Sequence, residues 1–188
     1  MKKLIALLLI INCQLSIVNS FAQSVYISES TEISFFSKSP IEDIDAVNKL
    51  STSIITLHND SIAFKVPITG FVFKDGLMQR HFNSNYMESD KKGYENATLK
   101  GKINEDIDFK TDGEFKVTCT GILKMHGVEQ PRNFEGVFIV KEGKVNLTSK
   151  FKVLVADHKI KIPGDKLMNI GKEIEVSVSA NYKLYVKP

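Results

Sequence analysis

The chain has 188 residues, 43% hydrophobic and 25% charged, with a formal charge of +3. That is enough for one domain with its own core, and the composition excludes a disordered or membrane-embedded chain. No Lys/Arg block or basic stripe accompanies the small positive charge, so no nucleic-acid partner is expected.

Met1–Ala22 reads as a leader. Lys2 and Lys3 precede an unbroken apolar run of eight residues, Leu4–Ile11, and Ser20-Phe21-Ala22 sets small residues before Gln23. This pattern predicts a secretory signal cleaved near Ala22 and a single domain over residues 23–188. The run is far short of the ~20 residues a membrane span needs, so no stable insertion of the mature chain is expected. Cleavage removes two lysines and leaves 166 of the 188 residues at a formal charge of +1. Cys13 lies in the leader; a lipidated Cys13 is the alternative, but Asn12 is a poor residue to precede one. The mature chain then holds Cys119 as its one cysteine and no internal disulfide, so its stability must come from sheet and core.

Val25–Ser28 and Glu32–Ser37 read as an opening strand pair. Ser39-Pro40-Ile41-Glu42 resembles a helix start, with a capping serine, a proline where its missing N–H costs nothing, and an acid at the positive end. Ile41, Ile44, Val47 and Leu50 at helical spacing extend that helix over Pro40–Leu50. Thr52–His58 and Ser61–Lys74 are strands, joined by Asn59-Asp60. In the second, Ile62, Phe64, Val66, Ile68, Gly70 and Val72 share a face, with Pro67 favouring an edge or bulge. Gly76–Ser89 breaks the two-residue period and reads as a short helix.

Ala97–Ile103 is a strand, Glu105–Gly113 a polar turn region and Glu114–His126 a long strand. Gly127–Arg132 is expected as a turn containing Pro131, followed by a strand through Phe134, Gly136, Phe138 and Val140. Glu142-Gly143 is a tight hairpin turn into Lys144–Ala156, whose odd positions are apolar apart from Ser149. Asp165 and Gly171 bracket a short helix over Lys166–Ile170. Glu173–Tyr185 is the last alternating strand. The sum is an all-β fold, an eight-stranded antiparallel lipocalin-like barrel with short helical inserts; a sandwich is the less favoured alternative.

No catalytic motif with specific spacing is present. The four histidines, His58, His81, His126 and His158, lie on different elements with no paired spacing, and no metal site is expected from them. Cys119 falls on the inward face, where a buried thiol is inert. The chain is read as a binding protein, not an enzyme. Arg80-His81 on the short helix is the most suggestive polar pair. It reads equally as a polar gate for a ligand head group and as a surface arginine beside a half-buried histidine.

Leu77–Met87 resembles the R-x-x-H-L-x-S-x-x-F segment of the YceI-like proteins. Ala97–Gly101 is similar to their A-T-F-x-G/S strand, and Gly121–Val128 to their G-x-L-T-I-H-G-V-T strand and turn. Ile162-Pro163, Ile170, Ile174, Val176 and Val178 match their late I-P…I…I-x-V-x-V pattern. The resemblance implies a lipocalin-like barrel, a periplasmic or secreted location, and a long polyisoprenoid, isoprenoid quinone or similar amphiphile held inside, with no other cofactor. A homodimer is left open.

The alternation itself predicts the lumen: Phe64, Val66, Leu99, Phe115, Val117, Leu123, Phe138, Val145, Phe151, Val153, Val176, Val178 and Tyr182. Gly101, Cys119, Gly121, Gly136, Ser149 and Ala180 between them leave room, or serve only to let side chains interdigitate. At ~0.3 kcal/mol per heavy atom, a 40-carbon chain gains roughly 12 kcal/mol and a 10-carbon chain about 3. Only the longer comes near nanomolar affinity. The alternatives to a carrier or sequestering barrel are a small redox-linked or metal-assisted enzyme using Arg80 and His81, and a filled structural barrel without ligand.

Overall fold

A two-residue rhythm buries one face of every long strand, and a sheet with one apolar face has to close or stack to cover it. The structure, a computed structural model, describes residues 25–38, 43–162 and 171–186, and in these the sheet closes. Its strands are β1 (Val25–Ser37), β2 (Ile44–Asn48), β3 (Thr52–Thr56), β4 (Ser61–Pro67), β5 (Phe71–Phe73), β6 (Asn96–Ile103), β7 (Gly113–Met125), β8 (Val128–Lys141), β9 (Lys144–Leu154) and β10 (Glu173–Tyr185). Antiparallel pairing runs β1-β3-β4-β6-β7-β8-β9-β10, and β10 returns to β1 from Val25↔Tyr185 to Phe36↔Glu175. The ring therefore has eight strands. The other two, β2 and β5, extend it at one end: β2 pairs the last part of β1, and β5 pairs β2.

The opening strand pair is one strand. β1 bulges between Ser28 and Ser30, and the Ser28 hydroxyl accepts the Ser53 N–H at 2.8 Å. The expected helix over Pro40–Leu50 is overturned where the chain is described, because Ile44–Asn48 is strand. Its start signal, 39–42, lies outside the described residues, as do the leader and the expected helix Lys166–Ile170. Partners on both edges of β2 outweigh the local signal. Ile44 then turns inward, Val47 faces out, and Leu50 is left exposed.

Ser61–Lys74 is two strands separated by a 3₁₀ turn, Ile68–Gly70. The turn shifts the parity: Phe71 and Phe73 are buried while Val72 is exposed. Asn48 pins this break. Its Nδ2 donates to the Pro67 carbonyl at 2.7 Å, and its Oδ1 accepts from the Leu50 N–H and the Ser51 hydroxyl. A Cβ on Gly70 would come within 2.8 Å of that amide.

Pro131 lies within β8, paired with Ile122, and the turn is only His126-Gly127. β8 meets β9 only from Gly136 onward, so the missing N–H of Pro131 forfeits no bond on that side. The Glu142-Gly143 hairpin has both residues at positive φ, 51° and 73°, as a two-residue turn requires.

The two ends of the barrel differ. At the floor lie the end of β10 at Tyr185, the 142–143 turn and the loop 104–112. That loop carries Phe109, which is buried at 3% exposure with its ring 5.1 Å from Tyr26 and 5.0 Å from Phe138. Tyr182 is also here, its hydroxyl 2.6 Å from Ser53 Oγ. At the mouth lie β2, β5 and the short helix α1 (Gly76–His81), which runs into a π-turn over Phe82–Tyr86. Among the described residues no helix is long and apolar enough to cross a membrane.

Candidate functional site

Eight tilted strands enclose an interior wide enough for side chains or one small ligand. Here the floor is filled and the upper lumen is not. A cavity of about 230 Å³ rises from Phe138 and Ile103 to the mouth. Phe64, Val66, Leu99, Val117, Leu123, Phe138, Phe151, Val153, Val176 and Val178 line it. Phe115, Val145 and Tyr182 share the inward face but do not line it. Val145 is fully buried, Tyr182 is tied to Ser53, and Phe115 packs against the core from the floor end.

The small residues divide into two groups. Cys119, Gly136 and Ser149 border the cavity. Gly101 and Gly121 face one another across β6 and β7, where a Cβ on either would strike the other strand. These two glycines permit close strand approach and create no room for ligand. Ala180 is fully buried and also lies outside the lining.

The mouth supplies lining that alternation did not mark. Phe35 from β1, Phe71 and Phe73 from β5, and Phe82 from the π-turn form one ring cluster, with centroids 5.0–5.7 Å apart. Such pairs gain about 0.5–1.5 kcal/mol beyond area burial. Met78, Met87 and Ile160 complete the rim of the cavity. The parity shift at Ile68–Gly70 was the one available signal for Phe71 and Phe73: the P-x-x-G break that precedes them.

Two hydroxyls bordering the lumen are already engaged. The Ser149 hydroxyl donates to the Glu135 carbonyl, and the Ser37 hydroxyl accepts the Gly171 N–H at 2.9 Å. Burial pushes the Cys119 thiol up to about 11, with the Glu105 carboxylate adding to it, so the thiol stays protonated at neutral pH. An interior of this kind is apolar and penalises a charge.

Arg80 and His81 do not line the cavity. Arg80 is exposed on α1, and His81 is half-buried. Two other histidines prove to be buried and joined. His126 Nε2 lies 3.1 Å from Glu88 Oε2, its Nδ1 lies 3.1 Å from the His158 carbonyl oxygen, and Tyr94 packs against the ring. The ring thus bridges the Glu88 carboxylate and the backbone of the 155–158 turn. Bonds from Lys91 first, then from His126, hold the Glu88 carboxyl below its usual range. His158 is fully buried, and its Nδ1 faces the Met125 and Val128 carbonyls at 3.3 Å. Burial pushes its pKa down. Arg132 and Asp157, 2.7 Å apart, complete this latch between the 155–158 turn and β8. Among the described residues no group of three or more His, Cys, Asp or Glu side chains converges as a metal site.

Solved structures share this architecture. A polyisoprenoid binding domain from Saccharophagus degradans, implicated in plant cell wall breakdown, superposes with a TM-score of 0.72 at 12% identity. The match covers 85% of this chain and 98% of that one. BcnA of Burkholderia cenocepacia gives 0.67 at 12% identity, over 80% and 95% of the two chains. The YCEI protein of Campylobacter jejuni gives 0.54 at 15%, over 68% and 73%. At such identities the likeness is one of fold. No curated protein matches the chain. The family model described as the YceI-like domain matches residues 27–182, nearly the whole barrel from β1 to β10, and the chain belongs to that family.

Proposed function

We propose that the barrel binds one long apolar chain of an amphiphile, a polyisoprenoid or isoprenoid quinone, with its head group at the mouth, and carries or sequesters it outside the cytoplasm. The observation that carries this is the cavity: apolar throughout, closed at the floor and leading to the mouth. The polyisoprenoid binding of the Saccharophagus degradans domain supports the choice of chain. Export rests on the leader pattern in the sequence.

The lumen bounds how the chain is held. Its lining on β7 runs from Val117 to Met125. Those eight residue steps span roughly 26 Å along the strand, or roughly 20 Å along the axis at a tilt of about 40°. An extended chain advancing roughly 1.2 Å per bond fills that depth with about sixteen carbons. Sixteen atoms gain about 5 kcal/mol, which is submillimolar binding. A 40-carbon chain therefore reaches higher affinity only by folding back or by lying along the phenylalanines of the mouth.

The test is organic extraction of the purified protein followed by mass spectrometry, on the wild type and on Val178→Phe with Leu99→Phe. Both side chains border the cavity and are half-buried, so the added atoms enter open space. A long-chain lipid in the wild-type extract, absent from the double variant at unchanged melting temperature, is the expected result. A wild-type extract without lipid, together with no binding of prenyl alcohols of graded length, sinks the reading in favour of a filled structural barrel.

A further inference from the structure

We infer that the rim of the barrel mouth docks on an anionic lipid bilayer, so that the lumen opens onto the membrane surface. The inference rests on the lipid-binding reading for its purpose, but its evidence is the charge distribution.

The segment after the 155–158 turn shows the design. Ile160 and Ile162 line the cavity while Lys159 and Lys161 between and before them are exposed. Lys172 joins them, since its carbonyl accepts the Val155 N–H at 3.1 Å. The neighbouring Gly171 N–H donates to Ser37, which brings Lys38 to the same arc. On α1, Met78 faces the lumen while Arg80 and Leu77 are exposed. Among the described residues none of these five cations enters an ion pair.

Five acids at this end are engaged among the described residues. Asp45 pairs with Lys74 at 2.9 Å, Glu173 with Lys152 at 2.7 Å and Asp157 with Arg132. Asp75 caps α1 through the Met78 N–H, and Glu88 is held by His126 and Lys91. The opposite end is the more acidic: Glu105, Asp106, Asp108, Asp112 and Glu114 of 104–114, with Glu142 of the hairpin, stand against Lys110, Lys141 and Lys144. An anionic surface therefore attracts the mouth and repels the floor, which fixes the orientation.

An acidic protein would satisfy the cations, but two further features favour lipid. Leu77 and Val72 stand exposed at 51% and 65% beside the rim, where they would enter the headgroup layer. The rim is also continuous with an apolar lumen, which a bilayer fills with the same hydrocarbon.

The test is co-sedimentation of the protein with phosphatidylcholine vesicles, with and without phosphatidylglycerol. Wild type is expected to partition onto the anionic vesicles only, and to be released by high salt. Each lysine at the surface is worth about fivefold in partition, so Lys159→Gln, Lys161→Gln and Lys172→Gln together cost on the order of a hundredfold. Lys141→Gln with Lys144→Gln, at the floor, is expected to change nothing. Binding of a prenyl alcohol in vesicle-free solution reads the lumen separately, and the rim variant is expected to retain it. Equal partition onto neutral vesicles, or a rim variant that partitions like wild type, overturns the docking surface and leaves the lumen reading standing. Partition without prenyl alcohol binding supports the docking surface and overturns the lumen reading.

Discussion

The floor and the mouth of this barrel are built from the same residue types to opposite ends. At the floor Tyr26, Phe109 and Phe138 meet edge to face or tilted, and all three are buried. At the mouth four phenylalanines also cluster, but Phe35 and Phe82 are only half-buried and border open space. The floor sits where paired strands on all sides hold it. The mouth sits where β2 and β5 have replaced continuous strands and where β8 and β9 have parted. Aromatic content alone therefore does not decide whether a barrel is filled. What decides is whether the wall around the aromatics is continuous.

The widest separation of the two ends is expected from Phe138→Ala against Phe82→Ala. Phe138 has no exposed surface, so its removal should cost about 3–5 kcal/mol in urea unfolding. Phe82 sits half in solvent, and about 1–2 kcal/mol is expected. If Phe138→Ala still folds, it deepens the lumen, and the preferred prenyl chain should lengthen. Equal costs for the two substitutions would mean that the mouth is as well packed as the floor. Next in size is Asn48→Ala, which leaves the Pro67 carbonyl, the Leu50 N–H and the Ser51 hydroxyl without their partner. The expected loss is about 2–3 kcal/mol. Hydrogen exchange should rise in β2 and β5 and stay unchanged in β7 and β10; a uniform rise would show that Asn48 supports the whole barrel rather than the mouth.

The same division governs what the sequence made legible. Along the floor and walls the alternation is regular, and β10 falls where the pattern of Ile174 through Tyr182 puts it. Alternation reports which face a residue takes, but not its height in the barrel. That is why Phe115, Val145 and Tyr182 share a face with the lining and yet sit outside it. At the mouth local signals mislead. Ile44 and Val47 at helical spacing end on opposite faces of a strand, because pairing with β1 and β5 outweighs a capping signal. Phe109 was hidden in a polar segment whose acids turn the loop and whose one large ring closes the barrel. The histidines offered no spacing to read, since His126 and His158 meet only once the β7–β8 turn folds against the 155–158 turn.

That histidine contact yields the smallest and most specific expectation. His158 is buried neutral, and burial lowers its folded pKa below the ordinary value of 6.5. Below that value the unfolded chain binds the proton and the folded protein does not yet, so stability is full above 6.5 and falls as the pH falls toward the lower folded value. One proton bounds the slope at about 1.4 kcal/mol per pH unit. The depressed Glu88 carboxyl acts the same way but only from its ordinary value of 4.5 downward, so it leaves the interval between pH 6.5 and 5 to the histidine. Urea midpoints across that interval should decline for wild type. They should flatten for His158→Asn, whose Nδ2 stands where the ring Nδ1 does and still donates to the Met125 and Val128 carbonyls. The floor shares none of this chemistry, so with the intrinsic pH dependence of exchange divided out, protection at Val128 should fall more on acidification than protection at Phe138. A slope that survives His158→Asn would place the proton elsewhere than in the latch.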